Sequence, residues 1–225
     1  MNVHCRAQRD YLSTDPPLAV IVCRTDHGTH TGLLYFADDE HDRVILHLAF
    51  HRILQQERLD GDPPLWKPAV WATPAIDRET SEAVAALCRL VHRVNGDGGL
   101  PYSFEYIDQK FDIGTGMLAL GPDSGGLTCA SFVLALLNTY SVRLLRQEEW
   151  QLRPGDEEWQ TAIIRFAQQN KRASPQHIAA MKGEIGCARF RPTDIAAGAG
   201  SQRIPIGFDD ATRDGAQIQD LLDSL

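Results

Sequence analysis

Cys129 follows a capping-type hydroxyl, Thr128, in the stretch SGGLTCASFVLALL (124–137), and it heads an almost wholly apolar run. If a helix starts at Cys129, its sulfur lies beside unpaired backbone N–H groups and the positive end of the helix dipole. Both favour thiolate over thiol, and the same N–H groups can hold a developing oxyanion. The bland alternative is a small core residue where strand gives way to helix. A thiolate nucleophile needs a base, and the base needs a polar group to orient it. Five of the eight histidines fall within residues 27–51: His27, His30, His41, His47 and His51. His30 opens HTGLLYF and His47 lies inside VILHLAF. An imidazole within an apolar strand costs desolvation unless it finds a partner. A hairpin turn centred between Asp38 and Asp39 would set His30 directly opposite His47.

The elements needed to position these groups are legible in outline. PLAVIVCRTD (17–26), TGLLYFA (31–37) and RVILHLAFH (43–51) read as strands, the last two joined as a hairpin. In the third strand Val44, Leu46, Leu48 and Phe50 share one face, and Ile45, His47, Ala49 and His51 share the other. Residues 52–74 are Pro-rich and read as an irregular surface excursion. Residues 77–96 read as an amphipathic helix with Val84, Leu87, Cys88, Val91 and Val94 on its apolar stripe and Gly96 as a left-handed cap. Residues 97–127 form a long Gly- and aromatic-rich connection, and a central helix runs over 129–140. Helices follow over 156–172 and 174–183, the second with Ser174 as N-cap and Pro175 at its first position. AAGAGSQ (196–202) reads as a flexible linker. The terminal GAQIQDLLDSL reads as a short amphipathic helix. The expected organisation is a catalytic unit over residues 1–150 and a helical elaboration over 151–225, the latter able to meet a partner protein.

Composition excludes several classes. The net charge of −8 opposes a nucleic-acid binder, which needs a basic surface to release phosphate counterions. No apolar stretch is long enough for a spanning helix, and the charged N-terminus MNVHCRAQRD does not read as a signal peptide. Five scattered cysteines without a CxxC imply reduced thiols in a cytoplasmic setting, or export by a non-classical route. A zinc site is the competing use of HGTH (27–30), HLAFH (47–51) and Cys23. It is disfavoured because HxxH on extended chain lacks the geometry of a helical HExxH pair, and His47 and His51 lie roughly 13 Å apart along a strand. No metal and no cofactor is expected.

Taken together, HTGLLYF, VILHLAF and LTCASFV resemble the circularly permuted NlpC-type, papain-like thiol hydrolases, in particular their lecithin retinol acyltransferase-like and YiiX-like branch. His30 with Gly32 and Tyr35 matches the family's first histidine motif, His47 in ILHLA its second, and Cys129 in TCASFV its cysteine motif. TCAS stands where the family has NCEH. The resemblance implies an α+β, permuted papain-like fold, with a small antiparallel sheet packed on a central helix that carries the cysteine, and additional C-terminal helices here. It also implies Cys129 as nucleophile, His30 as general base and His47 as orienting group. The expected reaction is cleavage of an amide, peptide or isopeptide bond through a thioester. Two alternatives are lipid acyl transfer or phospholipase chemistry by the same triad, and a non-catalytic binding domain on the same scaffold. A peptide, protein or acyl-bearing substrate is expected, with Tyr102, Trp66 and Trp71 as candidate contacts.

Overall fold

The computed structural model describes residues 1, 3–6, 17–26, 28–37, 42–59, 66, 68–119 and 125–225. In chain order the strands are β1 (Val3–Arg6), β2 (Leu18–Thr25), β3 (Gly28–Phe36), β4 (Arg43–Phe50), β5 (Ile53–Arg58) and β6 (Ala69–Ala72), followed by helix α1 (Arg78–Asn95). A small hairpin of β7 (Lys110–Phe111) and β8 (Leu118–Ala119) precedes α2 (Cys129–Thr139). Then come α3 (Asp156–Asn170), α4 (Pro175–Gly183), α5 (Pro192–Gly200) and α6 (Phe208–Ser224). The architecture is α+β. A six-stranded sheet in the order β1-β6-β2-β3-β4-β5 is antiparallel at every pairing.

The sheet separates two apolar layers because side chains alternate along its strands. Val20, Val22, Leu33, Leu46 and Leu48 face one way and join the large core with α1, α2 and α5. Ala19, Ile21, Cys23, Leu34 and Ile45 face the other way and pack with Leu59, Trp66 and Trp71. The apolar sequence of α2 has its cause here: Cys129 through Asn138 are all buried. The helix runs under β3 and β4 with neighbours on every side.

Three stretches differ from the sequence expectation. The excursion expected over 52–74 contains β5 and β6. β5 is one of the sheet's two edge strands, so its ILQQER sequence lacks the apolar content that marks a central strand. β6 is four residues long, flanked by prolines, and inserted between β1 and β2, a position that chain order does not reveal. The linker expected over 196–202 belongs mostly to α5, every residue of which is buried. Its small residues permit close seating against β2, β6 and α6: a Cβ on Gly198 would meet Leu144 at 3.0 Å. Finally, Gly96 is right-handed (φ −55°), so it is not the left-handed cap expected of it, and Val94 is 42% exposed, off the buried stripe.

Candidate active site

β3 and β4 form the expected hairpin, but the register differs. Leu33 pairs with Leu46 and Phe36 with Arg43, a frame in which His47 lies opposite Gly32 rather than His30. The offset is two residues. An even shift keeps every side chain on its face, so His30 and His47 remain diagonal neighbours. Gly32 makes room for this diagonal. A Cβ there would stand 2.9 Å from His47 Cβ and 2.8 Å from Ile45 Cγ2 and the Leu46 carbonyl oxygen. With that space open, His30 Nε2 and His47 Nδ1 come within 2.8 Å, their rings edge to face at 4.9 Å between centroids.

The polar chain continues onto the edge strand. Gln55 of β5 pairs with His47, so Glu57, two residues on, shares His47's face. Its Oε1 is 3.5 Å from His47 Nε2, and its Oε2 accepts a 3.0 Å hydrogen bond from Trp66 Nε1. The 3.5 Å approach is long, and His47 Nε2 makes no tighter hydrogen bond. The Glu57 carboxyl is held below its ordinary range, chiefly by His47 and despite partial burial. Trp66 roofs both imidazoles, with centroids 5.6 Å from His30 and 5.1 Å from His47. The result is a row of polar side chains across three neighbouring strands: His30, His47, Glu57.

Cys129 enters from below. The β3–β4 ladder ends at the Leu33–Leu46 pair, and the remaining segments of the two strands, including His30 and Thr31, lie beyond it. Thr128 caps α2 as expected, accepting from Ser131 N–H at 3.1 Å, while Ser131 Oγ accepts from Thr128 N–H at 2.8 Å. This pair fixes the first turn, and with it the sulfur. The backbone groups that act on the sulfur are the N–H of Thr31, the residue after His30, and those of Cys129 and Ala130 at the helix start. The structure therefore joins the two imidazoles directly, and brings Cys129 to the adjoining backbone rather than into a hydrogen bond with either ring.

The electrostatics reverse one expectation. Burial outweighs the Thr31 N–H, the nearby Arg189 charge and the helix N-terminal N–H groups, so the Cys129 thiol ionises above its ordinary range, not below it. The half-buried His30, hemmed in by His47 and Trp66, is pushed down to about 3, first by desolvation and then by His47. The resting pair is thus a neutral thiol and a neutral imidazole. Cys23, the cross-strand partner of His30, is fully buried and its thiol is raised to about 12 by desolvation.

The three candidate contact residues are all buried. Trp66 covers the imidazoles, Trp71 lies in the smaller apolar layer, and Tyr102 packs against Phe50 and Phe104. Tyr102 also lies within electrostatic reach of Cys129 and Arg189. His51, expected on the face of His47, follows an irregularity at Leu48–Phe50. Its Nδ1 accepts from Tyr102 N–H at 3.2 Å, and its ring lies 4.2 Å from that of His177. His27 and His41 lie outside the described residues. Among the described residues no group of three or more His, Cys, Asp or Glu side chains is placed to hold a metal ion. Among the described residues, no helix is long and apolar enough to cross a membrane.

Sequence reasoning missed Glu57 and Arg189. Glu57 is invisible without β5 and its register. Arg189 sits sixty residues from Cys129 in a loop before α5, with no local pattern to single it out. Compared with protein-family models, curated proteins and solved structures, the chain matches none.

Proposed function

We propose that the protein is a cysteine hydrolase acting on an amide, peptide or isopeptide bond, with Cys129 as nucleophile, His30 as general base and His47 as its orienting group. The observation that carries this reading is the 2.8 Å His30–His47 contact on the strand whose next residue, Thr31, acts through its N–H on the sulfur of the helix-capped Cys129. A carboxylate only accepts hydrogen bonds, so Glu57 favours the tautomer with the proton on His47 Nε2. His47 Nδ1 then accepts from His30 Nε2–H, and His30 Nδ1 keeps its lone pair. That nitrogen takes the Cys129 proton as sulfur attacks the substrate carbonyl. The imidazolium formed on His30 returns the proton to the leaving amine, and water resolves the thioester with His30 again as base.

A neutral resting pair suits this sequence of events. The proton moves during attack, when a developing oxyanion and the N–H groups around the sulfur reward the charge separation. Catalytic hydrogen bonds commonly tighten only when substrate binds. Acyl transfer from an ester, as in lipid chemistry, would use the same thioester. The test is a panel of amide- and ester-based acyl probes with Cys129→Ala as control, read by mass spectrometry of the intact chain. A Cys129-borne acyl adduct that turns over, survives a chelator and vanishes with a thiol alkylator is the expected result. Turnover undiminished in Cys129→Ala overturns it.

A further inference from the structure

A cavity of about 580 Å³ opens at the end of the β2–β3 hairpin, bounded by Arg24 and Thr29, by the segment carrying Arg189, and by α6. Its arginines are not equivalent. Arg153 is held by both oxygens of Asp194 at 2.6 and 3.0 Å. Arg191 binds Asp156 Oδ1 at 2.9 Å, and Arg24 reaches Asp223 at 3.3 Å. Among the described residues, the carboxylate nearest Arg189 is Asp156 Oδ1 at 4.0 Å, the oxygen that Arg191 already occupies. Its guanidinium carbon lies 3.5 Å over the centre of the Trp159 ring, and its side chain is 14% exposed. Stacking fixes the plane of a guanidinium and leaves its N–H edge to be filled in plane, the geometry that recognises a carboxylate. Gly28 and Thr29 of β3 border the cavity, and the next residues on that strand are His30 and Thr31, so the cavity opens beside the strand that carries the proposed base.

We propose that Arg189 anchors a carboxylate of the substrate in this cavity, so that the compounds cleaved at Cys129 are acyl or peptidyl molecules bearing a free carboxylate near the scissile bond. This rests on the reading of Cys129 as nucleophile. A monoanion fits better than a phosphate dianion. Asp194, Asp220 and Asp223 also line the cavity, so the four arginines leave a lining excess of a single positive charge.

The test compares alkylation of Cys129 by iodoacetate and by iodoacetamide in the full chain and in Arg189→Met and Arg189→Lys. Both reagents need the same thiolate, so the ratio of their rates cancels any change in thiol ionisation. The iodoacetate-to-iodoacetamide ratio is expected to fall roughly tenfold in Arg189→Met, the scale of one charge-assisted contact, and less in Arg189→Lys. An unchanged ratio overturns the proposal. A second measurement needs no variant at Arg189: titration with N-acetylglycine and with its methyl ester, followed on the Trp159 indole N–H by NMR. A saturable shift with the acid alone is expected, and equal responses to both compounds overturn the site. If neither reagent alkylates Cys129 while N-acetylglycine still saturates, the carboxylate site stands and the nucleophile reading falls.

Discussion

His30 Nε2 and His47 Nδ1 meet at 2.8 Å across the one position of β3, Gly32, where any side chain would collide with the partner strand. Two effects of opposite sign follow for Gly32→Ala. Alanine is worth about 0.5–1 kcal/mol more than glycine within a strand. Against this, the new methyl sits 2.8–2.9 Å from Ile45, Leu46 and His47, and overpacking of that kind typically costs about 1–3 kcal/mol. Overpacking wins, because the atoms struck include a backbone oxygen and a Cβ rather than a flexible side-chain end. Chemical denaturation should show a net loss of stability, and hydrolysis should drop with it as His47 is displaced. A variant as stable and active as the native chain would mean that the diagonal does not need this gap.

Single alanine variants should rank the site. Cys129→Ala is expected to abolish turnover, and His30→Ala to lower it by roughly 10²–10⁴-fold, the usual worth of a general base. His47→Ala should cost less than His30→Ala. His51→Gln should retain most activity, since His51 is engaged with the Tyr102 backbone rather than with that row. Steady-state rates, with circular dichroism to check folding, decide the order. Losses confined to His47 and His51 would point away from this triad.

Glu57→Gln removes the constraint on His47 without removing the side chain. An amide offers either a donor or an acceptor to His47 Nε2, so both tautomers become accessible. Turnover is expected to fall at least about tenfold, since a wrong tautomer disables the base. The decisive reading is spectroscopic. Nitrogen-15 shifts of His47 should report Nε2 protonated and Nδ1 unprotonated in the native chain, and a mixture in the variant. A native His47 protonated on Nδ1 would contradict the assignment.

Burial should also control labelling. Cys129 is expected to react with iodoacetamide before Cys23 and Cys88, both of which are fully buried. Because its thiol ionises above the ordinary range, its rate should still be climbing well above pH 7. Peptide mapping after brief exposure at several pH values tests both points. A rate already flat at neutral pH would show a preformed thiolate instead.

Acid should destabilise the fold between pH 7 and 4. In the native state His30 titrates at about 3 and His51 at about 4, both below the ordinary value of 6.5. Depressed pKa values contribute stability that is fully present above 6.5. It is lost as pH falls, because the unfolded chain takes up protons that the folded chain refuses. His51 is depressed chiefly by desolvation, then by His177 and Arg52, and its lone pair is already engaged by Tyr102 N–H. Unfolding free energy measured across this range should decline, with a shallower slope in His51→Gln. A slope unchanged by that substitution would sink the account.

What the sequence settled by itself was mostly local. The apolar runs in 18–23 and 44–50, the Thr128 cap, the buried stripe of α1 and the Ser174–Pro175 start of α4 all depend on neighbours a few residues away. Composition and periodicity therefore report them. His30, His47 and Cys129 stood out for the same reason, as polar or reactive groups in apolar surroundings. What tertiary structure alone decided is whatever depends on strands distant in sequence. The β3–β4 register is two residues from the expected one, with Gly32 packed closely against His47. β6 becomes a central strand only by sliding between β1 and β2. The small residues of α5 look like a linker until the sheet gives them a surface to approach closely. Glu57 and Arg189 gain meaning the same way, one through the pairing of β5 with β4, the other through a fold that stacks its guanidinium on Trp159 beside the β2–β3 hairpin.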